Sequence, residues 1–141
     1  MNPLFADTYF FLALLHQGDA AHARAVALAE RITNPTVTTA WVLTEVGDAL
    51  SSPGLRPHFV QLIETLRADP ACTIVPPSPQ LFDAGVALFA ERSDKSWTLT
   101  DCISFVVMRQ YDITEALTGD RHFEQAGFIP LLTAGSPQRR R

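Results

Sequence analysis

The length and composition of the chain are those of one folded domain of ordinary size. It has 141 residues, of which 47% are hydrophobic and 18% are charged, which is enough apolar material for a sizeable core. This composition excludes an intrinsically disordered chain, and only two cysteines, Cys72 and Cys102, exclude a disulfide scaffold. The net charge of −4 does not itself indicate nucleic-acid binding, although acids clustered at a metal site can hide a basic rim in the total.

The apolar run within residues 1–15 contains Asp7 and has no basic leader. It therefore does not predict a signal peptide. No stretch approaches the roughly 18 apolar residues of a membrane span. We expect a soluble cytoplasmic protein with no membrane partner.

Short apolar strands alternate with helices along the first part of the chain. Asp19 is a candidate cap for the Ala-rich helix at 20–31. A β-branched segment at 36–39 favours a buried strand. The predicted elements are strand 4–6, helix 8–16, helix 20–31, strand 36–39 and helix 40–50.

The second part of the chain continues the same alternation. Its predicted elements are helix 57–67, strand 72–75, helix 81–91, helix 101–110, strand 116–118 and strand 128–131. Residues 76–79 predict a turn, and Thr100 is a plausible cap for the helix that begins at Asp101. Residues 1–135 are expected to form a single domain, followed by a basic tail, 136–141, that ends in three arginines.

Two details of packing are predicted from helical spacing. Within helix 81–91 the expected core positions are Phe82, Val86, Phe89 and Ala90. Strands that alternate with helices predict a mostly parallel sheet with helices on both faces, which is a three-layer α/β/α sandwich. In such folds ligands collect at the carboxyl ends of the strands.

Four acids stand where this fold would bring them to that edge. Asp7 follows the first strand, Glu45 lies on the helix after the second, Asp101 begins a late helix, and Asp120 follows a late strand. Carboxylate oxygens are the ligands that Mg²⁺ and Mn²⁺ prefer. The acids lie far apart along the chain, and each one taken alone is more often a helix cap or a solvated charge than a metal ligand.

The sequences around these acids resemble the motifs of the PIN-domain family, and in particular the VapC-type ribonuclease toxins of VapBC toxin–antitoxin systems. The matching segments, in the order of the family, are FADT at 5–8, TE at 44–45, WTLTDCISF at 97–105 and TGDRHF at 118–123. The last two segments are fairly specific, and the resemblance covers about residues 4–132. One departure is Thr98, at a position where Ser is frequent.

The resemblance implies a metal-dependent endoribonuclease that hydrolyses RNA phosphodiester bonds, acting as the toxin of a type II pair. Asp7, Glu45, Asp101 and Asp120 would hold one or two Mg²⁺ or Mn²⁺ ions, which activate a water for attack on the phosphodiester. Two further residues are expected to support these ligands. Thr8 follows the first acid, and Ser104 lies one helical turn after Asp101.

The resemblance also implies the partners. These are an RNA substrate, a small cognate antitoxin laid over an apolar groove, and a second copy of the chain in a homodimer. Phe10, Phe11 and Leu14 are candidate antitoxin contacts, with core packing as the alternative for each.

Several other residues near the acids are candidates for a role in the site or in substrate binding. His122 is interpreted as a surface residue and is left out of the catalytic set, and Trp97 is interpreted as core rather than as a platform for a base. The cationic candidates for lining a substrate groove are Arg92, Lys95, Arg109 and Arg121.

Two alternatives stay open from the sequence. One is a PIN nuclease for housekeeping RNA processing, and the other is a non-catalytic PIN module that only binds. Loss of an acid would indicate the second alternative, whereas all four acids are present.

Overall fold

The computed structural model of the protein describes residues 1–133, and the predicted basic tail at 136–141 lies outside them. Five strands form one sheet in the order β3-β2-β1-β4-β5, and every pairing is parallel. The strands are β1 Leu4–Ala6, β2 Thr36–Thr39, β3 Cys72–Val75, β4 Glu115–Leu117 and β5 Ile129–Pro130.

Helices cover both faces of this sheet. All three residues of β1 are buried, and successive side chains of a strand point to opposite faces, so each face of the central strand is covered. The helices are α1 Thr8–Leu15, α2 His22–Arg31, α3 Ala40–Ala49, α4 Arg56–Ala68, α5 Pro79–Glu91, α6 Leu99–Gln110 and α7 Arg121–Gln125. The predicted three-layer α/β/α architecture is confirmed.

A chain of aromatic rings fixes α6 and α7 against the central strand. The Phe105 ring packs edge-on against Phe123 at 4.9 Å and against Trp97 at 5.0 Å between centroids, and Phe123 lies 6.2 Å from Phe5 on β1. Trp97 is 4% exposed, and its indole N–H donates to Gln125 Oε1. The predicted core role of Trp97 is confirmed.

Three helix starts differ from the prediction by two residues. α6 begins at Leu99 and is capped by Thr98, not by Thr100. Residues 76–79 are not all turn, because Pro79 is the first residue of α5 after the Ser78 cap, a position where a missing N–H costs nothing. α2 begins at His22 rather than at residue 20, and α7 was not predicted because five residues are too short for a periodic pattern.

The prediction that Phe82, Val86, Phe89 and Ala90 form the core face of α5 was wrong. The three larger side chains are 44%, 39% and 49% exposed, and Ala90 is exposed as well. The buried positions of this helix are Leu81 and Gly85. α5 is apolar on both sides, so helical periodicity finds an apolar stripe without deciding which side faces the core.

The proposed antitoxin contacts on α1 were also wrong for two of the three residues. Phe10 and Phe11 are only 5% and 3% exposed, and they belong to the core of the domain. Leu14 is half-buried and packs against that core. None of the helices within residues 1–133 is both long and apolar enough to cross a membrane.

Candidate metal centre

The parallel sheet brings three chain segments to one edge. Asp7 directly follows the central strand β1, the segment 118–120 directly follows its neighbour β4, and α3 directly follows β2 on the other side. The chain runs from β1 to β2 and β3 on one side of the sheet, and then crosses to β4 and β5 on the other side of β1. The strand order therefore reverses at β1, which makes this edge a topological switch point. The first turn of α6, which contains Asp101, lies at the same edge of the sheet.

Asp7 is almost completely buried at this edge, with 4% exposure. Its Oδ2 accepts a hydrogen bond of 2.9 Å from Thr118 Oγ1. The same hydroxyl accepts the backbone N–H of Asp120 at 3.0 Å. Thr118 therefore orients the acid after β1 and the loop after β4 together, a role that sequence reasoning missed. The available signal was a threonine directly after a strand and two residues before an acid.

Gly119 lets that loop approach α1 closely. A Cβ at this position would lie 2.5 Å from Cζ of Tyr9, closer than non-bonded carbons come. A larger residue between Thr118 and Asp120 would therefore require the Tyr9 ring to move.

Burial raises the pKa of Asp7 from 3.8 to about 7. The negative charges of Asp101 and Asp120 raise it further, while the hydrogen bond from Thr118 opposes the shift. These contributions show that the three carboxylates are electrostatic neighbours. A pocket of this kind favours either a proton or a cation.

Asp101 is held by the first turn of its own helix. Its Oδ2 accepts the backbone N–H of Thr98 at 3.1 Å, and its own N–H donates to Thr98 Oγ1 at 3.0 Å. This reciprocal capping box fixes the carboxylate before any ligand arrives. Burial raises the pKa of Asp101, and the contact with His122 partly opposes that shift.

His122 reaches the acids, which corrects its interpretation as a surface residue. Its Nδ1 lies 2.9 Å from Asp101 Oδ2 and 3.5 Å from Asp120 Oδ1. Its backbone N–H donates to Asp120 Oδ1 at 2.9 Å. Asp120 caps the short helix α7, and that turn folds the imidazole back over the site. The sequence carried no signal for this contact beyond the spacing of two residues.

Glu45 is half-buried on α3 and is linked to the site through Thr8. Thr8 Oγ1 donates to Glu45 Oε1 at 2.6 Å, and Thr8 is the neighbour of Asp7 in the chain. Ser104 lies on α6 one turn from Asp101 and is fully buried. Its Oγ has no hydrogen-bond partner within residues 1–133, so its supporting role stays a prediction.

The donor set fits a divalent cation. Within the described part of the chain, no lysine or arginine forms an ion pair with Asp7, Asp101 or Asp120. Carboxylates that are buried without a cationic side chain need another source of positive charge. Asp101, Asp120 and His122 each offer a ligand atom, and those three atoms lie within 4.8 Å of one another.

The cations predicted to line a substrate groove are placed unequally. Arg92 forms an ion pair with Asp94 at 3.0 Å and lies over the Trp97 ring. Arg109 lies about 12 Å along α6 from Asp101 and over the Phe128 ring, and its role in a substrate groove stays a prediction. Arg121 is exposed and adjoins Asp120 at the start of α7.

The sequence model of the PIN domain matches residues 4–129 of this chain, which is most of its length. The chain belongs to the PIN domain family. The match spans β1 to β5, and so it includes every acid of the site.

Two similar proteins extend this result. The 23S rRNA-specific endonuclease VapC20 of Mycobacterium tuberculosis is 26% identical over 138 residues, covering 91% of this chain and 97% of its own length. The crystal structure of Mycobacterium tuberculosis VapC20, described as a sarcin-ricin loop cleaving toxin, superimposes with a TM-score of 0.82 at 25% identity, covering 89% of this chain and 96% of that one. FitAcB from Neisseria gonorrhoeae shares the fold, with a TM-score of 0.61 at 18% identity over 90% of this chain and 94% of that chain.

Proposed function

We propose that this PIN protein is a divalent-metal-dependent endoribonuclease and the toxin of a type II toxin–antitoxin pair. The observation that carries the proposal is the convergence of Asp7, Asp101 and Asp120 at one sheet edge, with no lysine or arginine paired to them in residues 1–133. A binding-only module has no need of such a set. The activity named for VapC20, a relative across nearly the whole chain, supports the same conclusion.

Three of the four predicted acids are each oriented by a hydrogen bond from a threonine. Asp7, Asp101 and Asp120, with Glu45, would hold one or two Mg²⁺ or Mn²⁺ ions. A bound ion supplies an acidified water and positive charge for the phosphodiester oxygens. Thr118 orients Asp7, the Thr98 cap orients Asp101, and Thr8 orients Glu45. These hydrogen bonds preorganise the carboxylates, so that little reorganisation accompanies ion binding.

The substrate that we propose is a structured RNA in the cytoplasm, and large-subunit ribosomal RNA is the first candidate. This choice rests on the 23S rRNA specificity of the relative VapC20. Arg121, exposed beside Asp120, is the cation best placed to contact an RNA phosphate close to the acids.

For the antitoxin we propose a groove between α3 and α4 rather than the surface of α1. The groove has a volume of about 460 Å³, and its walls are mostly apolar. Leu43, Phe59 and Ile63 line it, and Arg67 and Asp48 add polar groups. Thr44, the neighbour of Glu45 in the chain, also lines the groove, and we expect a segment in the groove to extend a basic side chain towards the acids and compete with metal.

For the homodimer we propose the outer face of α5 as the interface. Phe82, Val86 and Phe89 lie on that face at helical spacing, and each exposes more than a third of its surface. A contiguous apolar stripe of this kind is costly in water. The same stripe on a second copy, related by a two-fold axis, would cover it.

The nuclease proposal is tested with purified, antitoxin-free protein, incubated with total RNA and with ribosomes in Mg²⁺, in Mn²⁺ or in EDTA. We expect cleavage in either metal, none in EDTA, and a loss of at least a hundredfold for Asp7→Asn. Glu64→Gln, an exposed acid on α4, is the matched control and should retain full activity. Cleavage that survives Asp7→Asn would reject the proposed site, and no cleavage of either substrate by folded protein would reject the activity.

A further inference from the structure

The acid pocket contains a nitrogen donor in addition to its carboxylates. The His122 side chain is 26% exposed, and its Nδ1 faces two carboxylates from different elements, Asp101 on α6 and Asp120 before α7. The site proposed above uses oxygen ligands alone, so this imidazole has no assigned role in it.

The spacing of these atoms matches that of ligands around one ion. Adjacent ligands of an octahedral ion with bonds of about 2.1 Å lie about 3 Å apart. Nδ1 lies 2.9 Å from Asp101 Oδ2 and 3.5 Å from Asp120 Oδ1. Three donors within 4.8 Å of one another can therefore close on an ion with small side-chain movements.

The local backbone holds the imidazole in this position. The His122 N–H donates to Asp120 Oδ1, and Asp120 is itself tied to Thr118 through its own N–H. Asp101 is fixed independently by the capping box with Thr98. Local hydrogen bonds thus hold the backbone at Asp120 and His122 and the carboxylate of Asp101, which places the imidazole beside both acids.

We propose that His122 is a ligand of an ion held by Asp101 and Asp120, and that this position favours first-row transition ions over Mg²⁺. The proposal rests on the metal-dependent function proposed above and adds a ligand to it. Mg²⁺ takes oxygen ligands and keeps much of its water, whereas imidazole suits transition metals and its benefit rises along the series from Mn²⁺ to Cu²⁺. One nitrogen donor therefore changes which ion the site selects.

A simpler role for His122 is a hydrogen bond from Nδ1–H to Asp101 that only orients the carboxylate. The two roles differ in what can replace the imidazole. In His122→Asn the amide Nδ2 can still donate to Asp101, but no ring nitrogen can bind an ion. This variant therefore keeps the orienting hydrogen bond and removes the nitrogen ligand, while His122→Ala removes both.

The test is pulsed electron paramagnetic resonance of the full-length protein loaded with one equivalent of Mn²⁺, without RNA. We expect electron spin-echo modulation from a directly bound ¹⁴N in the unmodified protein, lost in His122→Asn and in His122→Ala. The control is His58→Ala, which removes an exposed histidine on α4 and should keep the modulation. Circular dichroism establishes that each variant is folded.

Calorimetry on the same proteins measures the affinity for Mn²⁺ and for Mg²⁺, and so the selectivity between the two ions. We expect His122→Asn to weaken Mn²⁺ binding about tenfold or more and Mg²⁺ binding much less. Bound Mn²⁺ without ¹⁴N modulation, or equal losses for the two ions, would overturn the proposal and leave the nuclease proposal standing. If the folded protein binds neither ion, the metal centre and this proposal both fail.

Discussion

Asp7 occupies a place where its carboxylate is unfavourable without a cation. It is buried, it faces two other acids, and its pKa lies at about 7. Below about pH 7 the metal-free protein therefore holds a proton on Asp7 that an ion must displace. Binding of the ion, protonation of Asp7 and stability of the fold are coupled through this one residue.

The first prediction concerns stability against pH in EDTA. Because the folded pKa of Asp7 is raised above its ordinary value of 3.8 to about 7, the folded state binds more protons than the unfolded state between those two values. Its favourable contribution is complete below pH 3.8 and is lost as pH rises through about 7. We expect Asp7 to lower the free energy of unfolding by a few kcal/mol across this window, measured by urea denaturation.

The variant Asp7→Asn separates this effect from other acids. It removes the titration, so its stability in EDTA at pH 8 should exceed that of the unmodified protein, although it loses metal binding. Saturating Mn²⁺ should reverse that order. If Asp7→Asn is the less stable protein at pH 8 in EDTA, the buried carboxylate is not a source of strain.

Among the secondary-structure elements, the N-terminus of α6 affects both the stability of the fold and the position of a site carboxylate. The Thr98 side chain caps the helix, and the same turn fixes Asp101. Loss of the cap therefore affects both the helix and the position of one carboxylate. The prediction from sequence had placed the cap two residues later, at Thr100.

Thr98→Ala should lower the free energy of unfolding by about 1 kcal/mol and weaken Mn²⁺ binding. Thr98→Ser retains the hydroxyl and should behave like the unmodified protein. Thr100→Ala is the matched control, with little effect expected on either quantity. Chemical denaturation and calorimetry measure the two effects, and a larger loss for Thr100→Ala would contradict the observed cap.

The contact between α5 and α6 depends on a glycine. A Cβ on Gly85 would lie 2.3 Å from Cγ1 of Ile103 and 3.4 Å from its Cα, and Ile103 is fully buried. A larger residue at position 85 would therefore displace the Ile103 side chain or push the two helices apart. α6 carries Asp101, so this spacing also affects where the site lies.

Gly85→Ala should destabilise the protein by about 1 to 2 kcal/mol. Overpacking of a core contact costs about 1–3 kcal/mol, and the better helix propensity of alanine offsets part of it. Gly54→Ala is the control, since no atom lies within 4 Å of its added Cβ. Thermal unfolding distinguishes the two, and a rise in melting temperature for Gly85→Ala would show that the helices can separate at little cost.

In the molecule as a whole, one side of α5 is buried and the other side is exposed to solvent. One side packs on α6 through Gly85, and the other exposes Phe82, Val86 and Phe89. A monomer would leave this stripe in water. The homodimer proposed above follows from that exposure.

Phe89→Asp should convert a dimer into a monomer, because it places a charge in the apolar interface of both copies. Size-exclusion chromatography with light scattering measures the mass. Val60→Asp is the control, since Val60 is 55% exposed on α4 and lies outside the stripe. A monomeric unmodified protein at tens of micromolar, or a dimer that survives Phe89→Asp, would exclude this interface.

The family, the fold class and the order of every element except α7 could be predicted from the amino-acid sequence. The predicted strands 36–39 and 72–75 agree with β2 and β3 to the residue. The preference of β-branched residues for extended backbone is a local property, so it can be predicted from the sequence. The motifs around Asp7, Glu45, Asp101 and Asp120 predicted the acids of the site for the same reason. Each motif is a short segment whose residues are neighbours in the chain.

Which side chains contact one another depends on the packing of segments that are distant in the chain. Thr118 and Asp7 share a hydrogen bond across 111 positions of the chain, and His122 contacts Asp101 from a different helix. The exposed face of α5 was likewise decided by its neighbour α6 and not by its own periodicity. Contacts between distant segments depend on strand order and helix packing, and no local preference of the residues concerned encodes them.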